Sequence, residues 1–304
     1  MAHDRRARET QKALRRILET QYRHDAEWAE RNQAEAEEAR RNGDVEGYLT
    51  LARHGRLPDT CWALELWDEA RSAYRHNADV LTERRGLLER SDPEELIDEL
   101  IDEEAPTLVK AGHLERGRVC LERAMDHFGD DPDWEVIRAE LGLYAAQAGR
   151  RDLARHAGEA LEARAELSEQ SSREARLVVG SLQYESAQAA VLLGDWERAR
   201  EELERAARVQ EIVEQRPGRA FDPSLEEAIA AALRGLSELA LLRERRGDAG
   251  SARAHFEAAM LAFYRFEDST DVNTYFLRLN TRLADDLAAG REPDPNPFAE
   301  REER

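Results

Sequence analysis

The sequence predicts an all-α fold assembled from repeated helical hairpins, and three observations carry that reading. Ala, Leu, Glu and Arg, all good helix formers, dominate a 304-residue chain that is 36% charged and only 6% aromatic, and strand-favouring clusters of Val, Ile, Thr and Tyr are nearly absent. Glycine followed by a polar residue interrupts otherwise continuous helical stretches, as in LLGDWERAREELERAARV, Leu192 to Val209. The same residue types then recur at the same distances after several of those glycines.

From the N-terminus, Asp4 to Arg41 reads as one long helix with a narrow apolar stripe of Leu14, Ile17, Leu18, Gln21 and Trp28. Residues 1–42 are therefore expected to form an amphipathic helix that caps the repeats or docks a partner. Its first part is the one basic region, with Arg5, Arg6, Arg8, Lys12, Arg15, Arg16 and Arg23. A turn is expected at Gly43 in RRNGDVEGYLTLA, and ELWDEARSAYRHNADVL reads as the second helix of a hairpin with Glu65 where the turn glycine would stand. Ser91-Asp92-Pro93-Glu94-Glu95 offers a cap, a proline at the first helical position and an acid three residues after Asp92, and Asp131-Pro132 and Asp222-Pro223 repeat the signal. Pro106 should end or kink the acidic helix that begins there. Glu214 to Ser224 is the clearest inter-helix loop, and the tail 291–304, polar with three prolines, is expected to be disordered.

The hairpins are read from the offsets. At +5, +9 and +12, Gly194 is followed by Ala199, Leu203 and Ala206, Gly247 by Ala252, Phe256 and Ala259, and Gly112 by Gly117, Leu121 and Ala124. Gly149 gives the looser set Ala154, Gly158 and Leu161. These offsets lie on one helical face, where small residues permit close approach and the large one fills the space between them. Gly112, Gly149, Gly194 and Gly247 are thus expected to be structural turn glycines at hairpin corners.

These segments resemble the tetratricopeptide repeat (TPR). GDWERAREELERAARV resembles its second helix, and AELGLYAAQAGRRDLARHAGEAL and LSELALLRERRGDAGSARAHFEAAM resemble whole units, with Leu141 and Gly142, and Leu236, Leu239 and Ala240, at the first-helix positions. The resemblance covers about residues 93–266 and implies a TPR-like α-solenoid over 43–290. The turn glycines are 37, 45 and 53 residues apart, where a regular array repeats every ~34, so the solenoid is expected to be irregular.

Chemistry is expected elsewhere than in a catalytic centre. No two of the eight histidines are spaced as a helical ligand pair, Cys61 and Cys120 stand far apart, and phosphate-cradling or nucleophile-elbow motifs are missing from the sequence. No catalytic residue, metal ligand or cofactor is predicted. Glu95, Asp98, Glu99 and Asp102 share one helix face, best read as solvated in a chain with 65 acidic residues. A net charge of -20 argues against direct nucleic-acid or membrane binding, and the absence of an apolar leader or span predicts a soluble, cytoplasmic protein.

What the resemblance implies instead is a concave groove lined by first helices, which takes a peptide or a partner helix. By offset, its candidates are Asp102 and Lys110, Gln147, Tyr184 and Gln188, and Arg234, Ser237, Glu244 and Arg245. The Lys and Asn residues of the family's chaperone-tail clamp are not matched. The expected function is non-enzymatic binding of a protein or peptide partner. The alternative is a regulatory or immunity-type protein that neutralises a basic toxin or nuclease, and an enzyme on a helical scaffold stands behind both. The oligomeric state is not legible in the sequence.

Overall fold

Residues Ala2–Arg41 form one 40-residue helix, α1, in a computed structural model that describes residues 2–91, 103–128, 135–149, 186–204, 223–245, 247–265 and 271–299. Every regular element among the described residues is helical. After α1 come α2 (Val45–Leu51), α3 (Leu57–Ala63), α4 (Trp67–Ser91), α5 (Ala105–Lys110), α6 (Leu114–Phe128) and α7 (Glu135–Gln147). Helical stretches 186–192 and 196–204, here α8 and α9, precede α10 (Pro223–Arg243), α11 (Ala249–Arg265) and α12 (Asp271–Ala288).

The chain divides into two compact units, Met1–Leu14 with Asp131–Pro295, and Arg15–Asp130 with Asn296–Arg304. The division falls inside the stretch 43–290 that the sequence reads as one repeat domain.

In the first unit α10 packs on α11 and α12, and α11 on α12. Ala252, Phe256 and Ala259, the offset residues after Gly247, are all fully buried. Gly235 of α10 faces the Phe256 ring so closely that an added Cβ would lie 3.0 Å from it. The small residues therefore set how near the two helices come, and the phenyl ring fills the space left between them. Ala199 and Leu203, at +5 and +9 from Gly194, are buried in the same way.

In the second unit α3 packs on α4, α4 on α5 and α5 on α6. A Cβ on Gly117 would come within 2.8 Å of Val109 Cγ2, so α5 and α6 touch where the offset places a small residue. The stripe of α1 is deeper than expected: Leu18, Asp25, Ala29 and Ala36 are buried, with Ile17, Gln21 and Trp28 partly covered. Ala36, Leu49, Ala52 and Val80 close one end of this core, with Tyr48, Leu51 and Leu87 against them. A buried carboxylate on that stripe needs partners. Asp25 has them, accepting from Gln21 Nε2 at 2.7 Å and from Thr60 Oγ1 at 2.6 Å.

The corners follow backbone chemistry. Gly43, Gly112, Gly149 and Gly194 each lie at a helix end with φ between 71° and 86°, the left-handed region that suits glycine. At the corner expected of Gly247 the left-handed residue is Arg245, φ 58°. Gly247 serves close approach there, since a Cβ on it would lie 2.8 Å from the Glu238 carbonyl oxygen. Glu65, standing where a corner glycine was missing, takes φ 63°, and Ala70 and Tyr74 at +5 and +9 are buried. Pro106 stands in the first turn of α5, directly after a π-helical turn at residues 103–104, and the acidic helix it was expected to end or kink lies, up to Asp102, outside the described residues. Ala154, Gly158 and Leu161, residues 214–222 of the expected loop and most of the acidic helix lie outside the described residues, and Pro223 and Ser224, expected to end that loop, open α10.

The tail departs from its expected disorder through Ala299. Arg291 pairs with Asp286 at 2.6 Å, Glu292 with Arg243 at 3.0 Å, and the Pro295 carbonyl accepts from Gln147 Nε2 at 3.0 Å. Phe298 is buried. Its composition predicted an unpaired, solvated segment, whereas these three polar contacts and one apolar anchor hold it.

Candidate functional site

The groove candidates fall into two groups. Arg234 of α10 is exposed and Ser237 partly so, and in the turn just beyond the helix end Arg245 is exposed and Glu244 partly so. Positions 234, 237 and 241 recur at helical spacing on one side of α10, while Leu233, Leu236, Leu239 and Ala240 are buried on the other, and Arg245, with φ 58°, has already left the helix. Ser237 Oγ returns its proton to the Leu233 carbonyl at 3.0 Å, and Glu244 accepts from Arg200 Nη1 of α9 at 2.7 Å. Arg243 lies over the Trp196 ring, 5.6 Å from its centroid. This end of α10 therefore carries alternating charge with an aromatic beside it.

The second group is turned inward, and its members cannot reach a partner as placed. Gln147, 1% exposed, donates to the Tyr275 hydroxyl at 2.7 Å. Gln188 is 2% exposed. Lys110, 7% exposed, donates to Asp59 Oδ1 at 2.8 Å and lies 5.7 Å from the centroid of the Tyr74 ring, whose hydroxyl also donates to Asp59, at 2.7 Å. The offset from a turn glycine identifies a helix face. It does not say whether another helix covers that face, and here one does. Asp102 and Tyr184 lie outside the described residues.

A site that the offsets do not reach lies at the α5–α6 corner. Trp62 of α3 is fully buried and meets Trp67 edge-on at 5.0 Å. It also meets Phe298, whose ring stands at 77° to it with 5.5 Å between centroids, a favoured aromatic geometry. Residues 296–299 form a turn in which the Ala299 N–H donates to the Asn296 carbonyl at 3.1 Å, with Pro297 at the second position. Asn at the first position and Pro at the second are the residues such a turn favours. The Phe298 carbonyl occupies the space a Cβ on Gly112 would need, and the Ala299 nitrogen would be 2.8 Å from that Cβ. The signal was present in the sequence as Asn-Pro-Phe, one aromatic in a polar tail, but composition alone read it as solvated.

Titratable groups are tuned by burial. The imidazoles of His54 and His76 stack 4.1 Å apart. Burial first, and the His76 charge second, lower the His54 pKa to about 4. His76 Nε2 lies 2.7 Å from the Ala52 carbonyl, which assigns it the proton. Burial is also the main cause that pushes the Cys61 thiol up to about 12, with Glu69, Asp25 and Asp59 adding to it. Cys120 rises to about 11, through burial and Glu104 against the opposing Arg85, Arg116 and Arg123. Neither thiol is a nucleophile at neutral pH.

Among the described residues no three His, Cys, Asp or Glu side chains are grouped to hold a metal ion, and no helix is long and apolar enough to cross a membrane. No protein-family model, no curated protein and no solved structure matches the chain.

Proposed function

We propose that this chain is a TPR-like, irregular α-solenoid that acts without catalysis, binding a peptide or protein partner along a face made by its first helices. The observation that carries the reading is the C-terminal half of α10 and the turn after it, where Arg234, Ser237, Glu244 and Arg245 remain at least partly accessible and Arg243 lies over Trp196, while the opposite side of the helix is buried in packing. Tight corners followed by buried small residues support the repeat character. A net charge of -20 favours a basic partner, whose encounter would be accelerated by the field and weakened by salt.

The test is selection of binders for the full chain from a random peptide library, followed by fluorescence anisotropy on the enriched sequences. Arg234→Glu with Arg245→Glu is expected to change affinity by about tenfold or more, the effect of altering one desolvated charged contact. Arg31→Glu, on the exposed face of α1, should leave it unchanged. A library that yields only peptides indifferent to both substitutions would remove the reading.

A further inference from the structure

We propose that the Trp62–Gly112 socket is a peptide-recognition site for a partner segment presenting a phenylalanine in a proline turn, and that the chain's own tail occupies it in cis. The site lies at a hairpin corner, not on the α10 face, so it stands whether or not that face binds anything.

The occupant is encoded locally. Asn296, Pro297, Phe298 and Ala299 close their own turn through a 3.1 Å hydrogen bond, so any segment with those four residues can present the same ring at the same angle. Pro293, Pro295 and Pro297 restrict the free chain before it docks, which lowers the entropy lost on binding.

The receptor belongs to other elements. Trp62 of α3 is held by its edge-on contact with Trp67, and the second wall is the backbone of the α5–α6 corner. At that corner Gly112 has φ 86° and no side chain, and the tail backbone fills the volume a side chain would take. A backbone-lined wall accepts main chain of any sequence, while the tryptophan face selects the aromatic ring. One apolar anchor beside a fitted main chain is how short peptides are read, and it permits exchange between a segment supplied in cis and one supplied in trans.

The test uses the nine-residue peptide REPDPNPFA, residues 291–299, and the full chain carrying Phe298→Ala. In fluorescence anisotropy the labelled peptide is expected to saturate this chain at least ~10-fold more tightly than the unaltered one, whose socket is already filled. The same peptide with alanine in place of phenylalanine should not bind. Equal affinity for the two chains, or binding that ignores the phenylalanine, would overturn the proposal. A second measurement needs no destabilising change: the unaltered chain is grown with fluorinated phenylalanine, and the Phe298 resonance is assigned by its loss in Phe298→Leu. Excess unlabelled peptide should move that resonance towards its position in the free peptide. A resonance that stays in place at millimolar peptide would show the ring to be a permanent part of the core.

Discussion

The main chain of Phe298 rests against the α-carbon of Gly112, in the volume that any other residue at position 112 would fill with its Cβ. Two separate demands thus meet at one glycine, a left-handed φ of 86° and an uncluttered face. Gly149 meets the first, with φ 76°, and no described residue lies within 4 Å of an added Cβ. Gly149→Ala should therefore lower stability by ~1 kcal/mol, the strain of a left-handed residue. Gly112→Ala should lower it by at least ~2 kcal/mol, because displacement of the tail adds to that strain. Urea unfolding of the two variants side by side measures the difference, and equal losses would refute the contact.

Glu65 presents the converse case. It holds φ 63° at a corner where glycine carries no steric penalty. Glu65→Gly should raise stability by ~0.5 kcal/mol, the relief of strain less the greater freedom of an unfolded glycine. A rise in the urea midpoint at unchanged slope is the expected result.

The stacked histidines make folding depend on pH. His54 titrates near 4 when folded, below the 6.5 of the free side chain, so between those values the unfolded chain binds the extra proton. Stability should accordingly be complete above pH 6.5 and decline as pH falls towards 4. His54→Phe keeps a ring against His76 and removes the titration, so its stability should change less steeply across that window. Parallel curves for the two chains, followed by thermal unfolding, would contradict the assignment.

Asp59 joins two buried side chains through its carboxylate. It accepts from Lys110 at 2.8 Å and from the Tyr74 hydroxyl at 2.7 Å. Removing it with Asp59→Ala leaves the ammonium in a covered site, and a loss of ~3 kcal/mol is expected. Adding Lys110→Met should recover much of that loss, as replacing a whole buried pair usually does. Lys12 is exposed, and the chain has no lysines besides these two. An amine-reactive reagent should therefore modify Lys12 quickly and Lys110 only in denaturant, as read by peptide mass mapping.

How far the sequence could be read depended on how local each cause is. The corners and the +5 and +9 positions were legible because φ preference, side-chain size and helical spacing act within about three turns of chain. Even Glu65 could be placed as a corner, since Ala70 and Tyr74 keep the pattern after it. Arg245 was missed as the left-handed residue because Gly247 supplied the more familiar signal two positions later. Lys110, Gln147 and Gln188 were legible as members of a first helix but not as interior groups. The partner of Lys110 is 51 residues away, and that of Gln147 is 128 away. Phe298 failed for the same reason, because the tail's polar composition hid one ring whose partner, Trp62, lies far upstream.

The depth at which Cys61 and Cys120 are held has a practical corollary. With thiols raised to about 12 and about 11, less than ~0.1% of either is ionised at neutral pH, and both are buried from reagents. A third cysteine introduced on an exposed position, Arg31 for example, would be the one sulfur that a maleimide dye or spin label finds. Distances and rotational freedom could then be followed in the otherwise wild-type molecule, with its native sulfur atoms left in place.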